Sequence, residues 1–180
     1  ANILVATEKD FEMKNRKLLC SKIATGDYDA VIIGHSQLLK IPLSYERRKQ
    51  YIREDIRQIE NALQDMNERY LDDGQRYSVK QLEKTKKNYE TRLEKLTDNE
   101  VDDVVTFEEL GVDRIYIDEA HMFKNLYMPT KMSNVAGIQM TEAKKSSDLY
   151  YKSKYLDEIT GGKGVVFATG TPVSNSMTEL

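Results

Sequence analysis

"NILVATEKDFEMKNRKLLCSKIATGDYDAVIIGHS", residues 2–36, decides the fold class. "NILVAT" is β-branched and aliphatic, and reads as a buried strand. "EKDFEMKNRKLLCSKIAT" then carries Phe11, Leu18, Leu19 and Ile23 at helical spacing toward one side. Gly26 closes that helix, where a left-handed residue costs little. "DAVIIGHS" is a second buried strand. Strand, helix and strand in such short compass form a βαβ unit, which requires parallel strands.

The next stretch, residues 44–99, changes period. Ile52, Ile56, Ile59, Leu63, Met66 and Tyr70 alternate spacings of four and three, the a and d positions of a heptad. The pattern resumes with Val79, Leu82, Lys86, Tyr89, Leu93 and Leu96, broken only by Lys86. Asp72, Asp73 and Gly74 supply turn chemistry between the halves, and Ser78 is placed to cap the second helix. The reading is an antiparallel coiled-coil hairpin whose first helix reaches about 40 Å. Its remaining faces are Glu, Lys, Arg and Gln, as a solvated arm requires.

From about residue 100 the chain returns to α/β character. "VDRIYID" is a strand, "SDLYYKSKYLDEI" a helix capped near Ser147 and stopped by Gly161 and Gly162, and "GVVFATGTPVSNS" a strand entering a turn. Pro129 and Gly137 argue that the segment between motif strand and helix is mostly loop. The expected fold class is α/β: residues 1–43 and 100–180 build a partial parallel sheet with helices, and residues 44–99 are an inserted helical hairpin.

Composition bounds the function. The 180 residues suffice for one domain with a core, and 32% charged residues imply long exposed helix. A net charge of −3 excludes a broadly basic nucleic-acid surface, so any such contact is local. Cys20 is the single cysteine, which excludes an internal disulfide and fits a reducing cytoplasm. With His35 and His121 it makes no zinc-type spacing. No apolar run approaches membrane-spanning length, and no signal peptide opens the sequence. The chain opens in strand-like sequence and closes on what reads as a helix start, so it is expected to be an excerpt of a larger protein.

The chemistry concentrates in "RIYIDEAHMFKN", residues 114–125. Ligands of open parallel sheets bind at the carboxyl ends of strands, and Asp118 and Glu119 stand at such an end. One carboxylate can serve magnesium, which keeps most of its waters, while its neighbour accepts a proton from an attacking water. A solvated turn is the ordinary reading of an Asp-Glu pair alone; Asp-Glu-Ala-His directly after a buried strand is far rarer. "VVFATGTPVSN" delivers Thr169, Gly170, Thr171 and Pro172 to the same sheet edge, where hydroxyls can sense phosphate or bond back to the carboxylates.

"DEAHMFKN" and "ATGTPVSN" resemble motifs II and III of superfamily 2 helicases, most closely the Swi/Snf-like branch. "DYDAVIIGHSQL" resembles motif Ib, and "ANILVATEKD" the strand before it. The resemblance covers residues 1–43 and about 110–180, and extends to large helicases of mobile genetic elements, some fused to DNA adenine methylases. It implies a RecA-like first lobe working with ATP and magnesium on double-stranded DNA. It also implies the remaining helicase lobes and a methylase domain as partners in the same polypeptide, with no membrane. Asp118 would hold magnesium through water, Glu119 polarise the attacking water, and His121 relay nucleotide state to motif III. Thr169, Gly170 and Thr171 would couple hydrolysis to movement, Lys124 and Asn125 fix the motif II loop, and His35 and Ser36 touch the nucleic-acid backbone.

The sequence has no Gly-x-x-x-x-Gly-Lys-Ser/Thr segment, so these residues supply no backbone cradle for phosphates. In the family that loop lies upstream and the lobe with the arginine finger downstream, so this segment alone is expected to be inactive. The hairpin departs from a minimal lobe; Lys84, Lys86 and Lys87 could face phosphate, though acidic neighbours dilute them. The competing reading is a non-catalytic module that displays a coiled-coil arm to DNA or a protein.

Overall fold

β1, Ile3–Val5, and β2, Ala30–Ile32, flank the helix α1, Met13–Thr25, in a computed structural model that describes residues 1–67, 73–98, 105–123, 126 and 144–171. The two strands pair in parallel with Ile3 opposite Ala30 and Val5 opposite Ile32, as the βαβ reading requires. They are not buried, however: Ile3, Val5 and Ile32 project from one face and stay largely exposed. The apolar residues specify strand geometry, but nothing described covers that face.

The first helix is also shorter than its periodicity suggests. Asp10 accepts bonds from the N–H and hydroxyl of Thr7, which closes a single 3-10 turn, Glu8–Phe11. Glu12 is extended (ψ 148°), and α1 begins after it. Phe11, Leu19 and Ile23 are buried as expected, but Leu18 is 69% exposed. Gly26 ends α1 without a left-handed turn (φ −82°). A Cβ there would collide with the Tyr28 ring and the Lys22 carbonyl oxygen, so close approach is what demands glycine.

The described strands form two separate two-stranded sheets, β1–β2 and β3–β4, rather than the single sheet expected; β3 is Ile115–Ile117 and β4 Val165–Phe167. Among the described residues no strand joins them. The chain divides into two units. One comprises Ala1–Ser44, Val101–Ile115 and Lys152–Val165; the other comprises Tyr45–Glu100, Tyr116–Tyr151 and Val166–Leu180.

In the first unit α2, His35–Leu38, follows β2 directly. Phe11, Leu19, Cys20, Ile23, Leu38, Ile41, Leu43, Phe107, Leu110 and Leu156 are its buried apolar residues. The Phe107 N–H donates to the Pro42 carbonyl at 2.8 Å, and Glu108 accepts the Ser44 hydroxyl at 2.7 Å. These bonds fix the point where the chain leaves for the long helices. Lys152 is fully buried here. Its Nζ donates to the Leu38 carbonyl at 2.7 Å and lies 5.7 Å from the Phe107 ring centre.

In the second unit α3, Tyr45–Asn67, packs against α4, Asp73–Asp98. Of the heptad residues, Ile52, Ile59, Met66, Leu82 and Tyr89 are buried, while Ile56, Leu63, Val79, Leu93 and Leu96 are half-buried. Tyr70 and Asp72 lie outside the described residues. Asp73 and Gly74 belong to α4 rather than to a turn, and Ser78 is buried within that helix instead of capping it. Lys86, the break in the apolar seam, is neutralised across the pair: its Nζ is 2.7 Å from Glu60 of α3 and 3.7 Å from Glu90.

Helix α5, Lys144–Thr160, begins before the expected cap, so Ser146 and Ser147 are buried inside it. Its stop is the expected one. Gly161 and Gly162 take φ of 66° and 80°, and the Gly162 N–H returns to the Asp157 carbonyl at 2.9 Å. Among the described residues no helix is long and apolar enough to cross a membrane.

Tyr151, also in the second unit, stacks at a tilt on Tyr51 with ring centres 5.4 Å apart and donates its hydroxyl to Asp55. Burial, then the Asp55 charge, push its phenol far above its ordinary 10.0. The folded state therefore keeps a proton that the unfolded chain releases. This contribution is fully present below pH 10.0 and is lost as pH rises above it. Denaturant melts between pH 9 and 11 should show stability falling by up to about 1.4 kcal/mol per pH unit at the alkaline end from this group. Tyr151→Phe should remove that component of the slope; an unchanged slope would show that the phenol is not held neutral.

Candidate functional site

β3 and β4 bring the two motif segments together through a short ladder. The Ile115 N–H donates to the Gly164 carbonyl at 2.8 Å, and the Ala168 N–H to the Ile117 carbonyl at 2.8 Å. Both strands therefore advance in the same direction, and their carboxyl ends share an edge. One further bond, from the Ala120 N–H to the Ala168 carbonyl at 3.0 Å, carries the pairing past the strands. Ile117 is buried and anchors the edge; Asp118 and Glu119 beyond it are exposed.

The turn itself has an unexpected backbone. Glu119 takes φ 50°, the one non-glycine residue with positive φ among the described residues. Such a conformation costs an L-residue roughly 1–2 kcal/mol. Two local bonds support it: the Glu119 N–H donates to Asp118 Oδ1 at 3.0 Å, and the Met122 N–H to the Glu119 carbonyl at 3.0 Å. Residues Ala120–Phe123 then continue as a 3-10 turn that aims His121 back at the edge.

The His121 ring is the junction of the site. Its Nδ1 lies 3.0 Å from Glu119 Oε2 and 3.1 Å from Thr169 Oγ1. The Thr171 N–H donates to the same Thr169 oxygen at 3.2 Å. His121, Thr169 and Thr171 thus form one hydrogen-bonded group linking residues 48 apart in sequence, with the Glu119 carboxylate beside the ring. Gly170, between the threonines, is exposed and has no positive φ; a Cβ there would meet nothing within 4 Å. The left-handed residue of the site is a glutamate and not the glycine, a reversal that periodicity and turn chemistry gave no sign of.

His35 and Ser36 open α2 just past the carboxyl end of β2, in the other unit. The Ser36 hydroxyl donates to the Gln37 side chain at 2.9 Å. Lys124, Asn125 and Pro172 lie outside the described residues. Of the three hairpin lysines, Lys86 is committed to Glu60, while Lys84 and Lys87 are exposed.

The donor set at the edge is sparse. Among the described residues no group of three or more His, Cys, Asp or Glu could hold a metal. Asp118 offers a single exposed carboxylate, one oxygen of which already accepts the Glu119 N–H. That fits magnesium, which takes one or two carboxylates and fills the rest with water and phosphate oxygens.

A family model described as "Probable helicase domain" matches residues 1–180. The chain is also similar to "Defense against restriction protein B" of Escherichia phage P1, with 27% identity over 161 residues. That alignment covers 86% of this chain but only 7% of the phage protein, so the chain spans a small part of its relative's length. No solved structure matches it. With the family model matched from end to end, the chain belongs to the probable helicase domain family.

Proposed function

We propose that this chain is part of the first RecA-like lobe of an ATP-dependent DNA helicase or translocase of the Swi/Snf-like branch of superfamily 2. The observation that carries the reading is the His121 ring set between Glu119 and Thr169 at the shared end of β3 and β4. A carboxylate able to take a proton from water stands beside a hydroxyl pair able to sense phosphate, and one side chain touches both. In this reading Glu119 polarises the attacking water, and Asp118 holds magnesium through water. Thr169, Gly170 and Thr171 couple hydrolysis to movement, and Lys124 and Asn125 fix the motif II loop. His35 and Ser36 touch the DNA backbone. Magnesium, when bound, neutralises charge on the phosphates.

ATP, magnesium and double-stranded DNA are the ligands of the intact protein, which acts in the cytoplasm. The phosphate-binding loop, absent from these 180 residues, and the second lobe come from the rest of the polypeptide. Similarity to a phage protein supports placing the chain in a mobile genetic element; a fused DNA methylase domain is part of the same proposal. The direct test is ATP turnover by the intact protein with and without double-stranded DNA. Turnover that DNA fails to stimulate would argue against a motor.

A second reading, a binding module, draws on the helix pair. α3 and α4 bury their apolar stripe against each other, and the Glu60–Lys86 pair closes its one polar gap. As a coiled-coil arm, residues 44–99 would dock a partner and take no part in hydrolysis. Deleting them from the intact protein should then leave DNA-stimulated turnover in place while abolishing partner capture. Loss of turnover on deletion would instead make the helices part of the motor.

A further inference from the structure

α4 carries its charges in an order that packing does not call for. The side it buries is the stripe Ser78, Leu82, Thr85 and Tyr89. Two positions further along, about 200° round the helix, stand Lys80, Lys84, Lys87 and Thr91, all exposed. They form the outermost row of the helix, and no carboxylate interrupts it. The two acids of this stretch, Glu83 and Glu90, stand to one side. Lys86 is withdrawn from the row and spent on Glu60 and Glu90. Among the described residues, the ammonium groups of Lys80, Lys84 and Lys87 have no ion-pair partner.

A solvated helix face gains from mixing signs, because Glu and Lys four apart attract while two lysines four apart repel. Lys80 and Lys84 are four apart and Lys84 and Lys87 three apart, so the row weakens its own helix. An anionic partner laid along it relieves that repulsion. The row advances about 10 Å from Lys80 to Lys87, at about 1.5 Å per residue. Over that length a DNA duplex presents about six phosphate charges, one per about 1.7 Å of its axis. A stiff helix suits a stiff duplex, since neither must be ordered on contact. Lysine also suits the task, as a hydrated point charge that meets phosphate without reading bases. A protein partner would call for apolar anchors, and the row offers none: its fourth member is Thr91. In a chain of net charge −3 this is a local contact with nucleic acid.

We propose that Lys80, Lys84 and Lys87 of α4 form a contact row for the phosphate backbone of double-stranded DNA. The proposal rests on the reading of the intact protein as acting on DNA. It adds a grip, made by the helix pair, that takes no part in hydrolysis and is indifferent to base sequence.

The test is the salt dependence of DNA binding by the intact protein, measured without nucleotide on two duplexes of different sequence. Each phosphate contact contributes about 0.9 to the slope of log affinity against log salt. Replacing all three lysines together, Lys80→Gln, Lys84→Gln and Lys87→Gln, should reduce that slope by about 2 to 3 and weaken binding to both duplexes alike. Glutamine matches lysine as a helix former, so the melting temperature should hold. Arginine at the same three positions should keep the slope. Arg53→Gln with Arg57→Gln, which removes two exposed charges from α3, should change it by less than about half a unit. An unchanged slope in the glutamine triple overturns the proposal and leaves the row to solvent or an acidic protein. An equal loss per charge in the α3 variant overturns it too, because net charge alone would then explain the effect. So does weakening on one duplex only, the mark of a base contact. ATP turnover separates the proposal from the motor reading. At saturating duplex the glutamine triple should reach the unmodified rate, needing more DNA to do so. If duplex stimulates the unmodified protein and the triple keeps its slope, the row fails and the motor reading stands. If the unmodified protein neither binds duplex nor responds to it, the motor reading fails and the proposal with it.

Discussion

Glu119→Gln in the intact protein should lower ATP turnover by about 10²- to 10⁴-fold if Glu119 acts as proposed, the usual contribution of a positioned general base. The substitution keeps size and hydrogen-bond reach. The Gln side chain can still lie against His121 Nδ1, which is 3.0 Å from Oε2. It retains the backbone bond to Asp118 Oδ1 and carries the same φ 50° penalty, so the fold has no reason to weaken. What the amide cannot do is take a proton from water. The expected signature is therefore a fall in kcat with nucleotide affinity and melting temperature close to unmodified. Loss of affinity together with turnover would assign Glu119 to binding, and unchanged turnover would remove it from the chemistry.

Lys152→Ala should destabilise the first unit by about 3 kcal/mol or more, and Lys152→Met by clearly less. The lysine is fully buried and satisfies the Leu38 carbonyl at the end of α2. Truncation to alanine removes this donor, leaving the carbonyl the Ile41 N–H at 3.2 Å, and opens a cavity beneath the Phe107 ring, which is the larger loss at about 2–5 kcal/mol. Methionine fills most of the volume. It loses the bond to the Leu38 carbonyl as alanine does, so what it spares is the cavity. Urea midpoints of the three proteins test the order. Equal midpoints for alanine and lysine would mean that the contact carries no stability.

Local periodicity made much of the architecture legible. The βαβ unit, the parallel register of β1 and β2, the heptad stripe of α3 and α4 and the glycine stop of α5 all stand where the spacing of residues puts them. Each depends on neighbours within a few positions, through side chains on one helical face or a backbone that only glycine adopts cheaply. The placement of "DEAH" and of Thr169–Thr171 at one edge was also legible, because parallel strands put their carboxyl ends together.

Burial was not legible in the same way. Ile3, Val5 and Ile32 read as core yet lie exposed, and Leu18 sits on the outer side of a helix that restarts after Glu12. Lys86 read as a flaw in a seam and is a cross-helix ion pair; Lys152, within the expected last helix, is fully buried, of which there was no sign in the sequence. For both lysines the deciding partner is distant in sequence, 114 residues away for Lys152 and Leu38.

By itself, then, the sequence determined which segments become strands and helices, which residue types reach the candidate site, and the family the motifs resemble. Only the tertiary structure decided which apolar faces are covered, which charges are paired, and that His121 stands between Glu119 and Thr169. The physical reason is range. Backbone preference and amphipathic spacing act over one or two turns, whereas burial and hydrogen-bond competition depend on groups that meet only after the chain has folded.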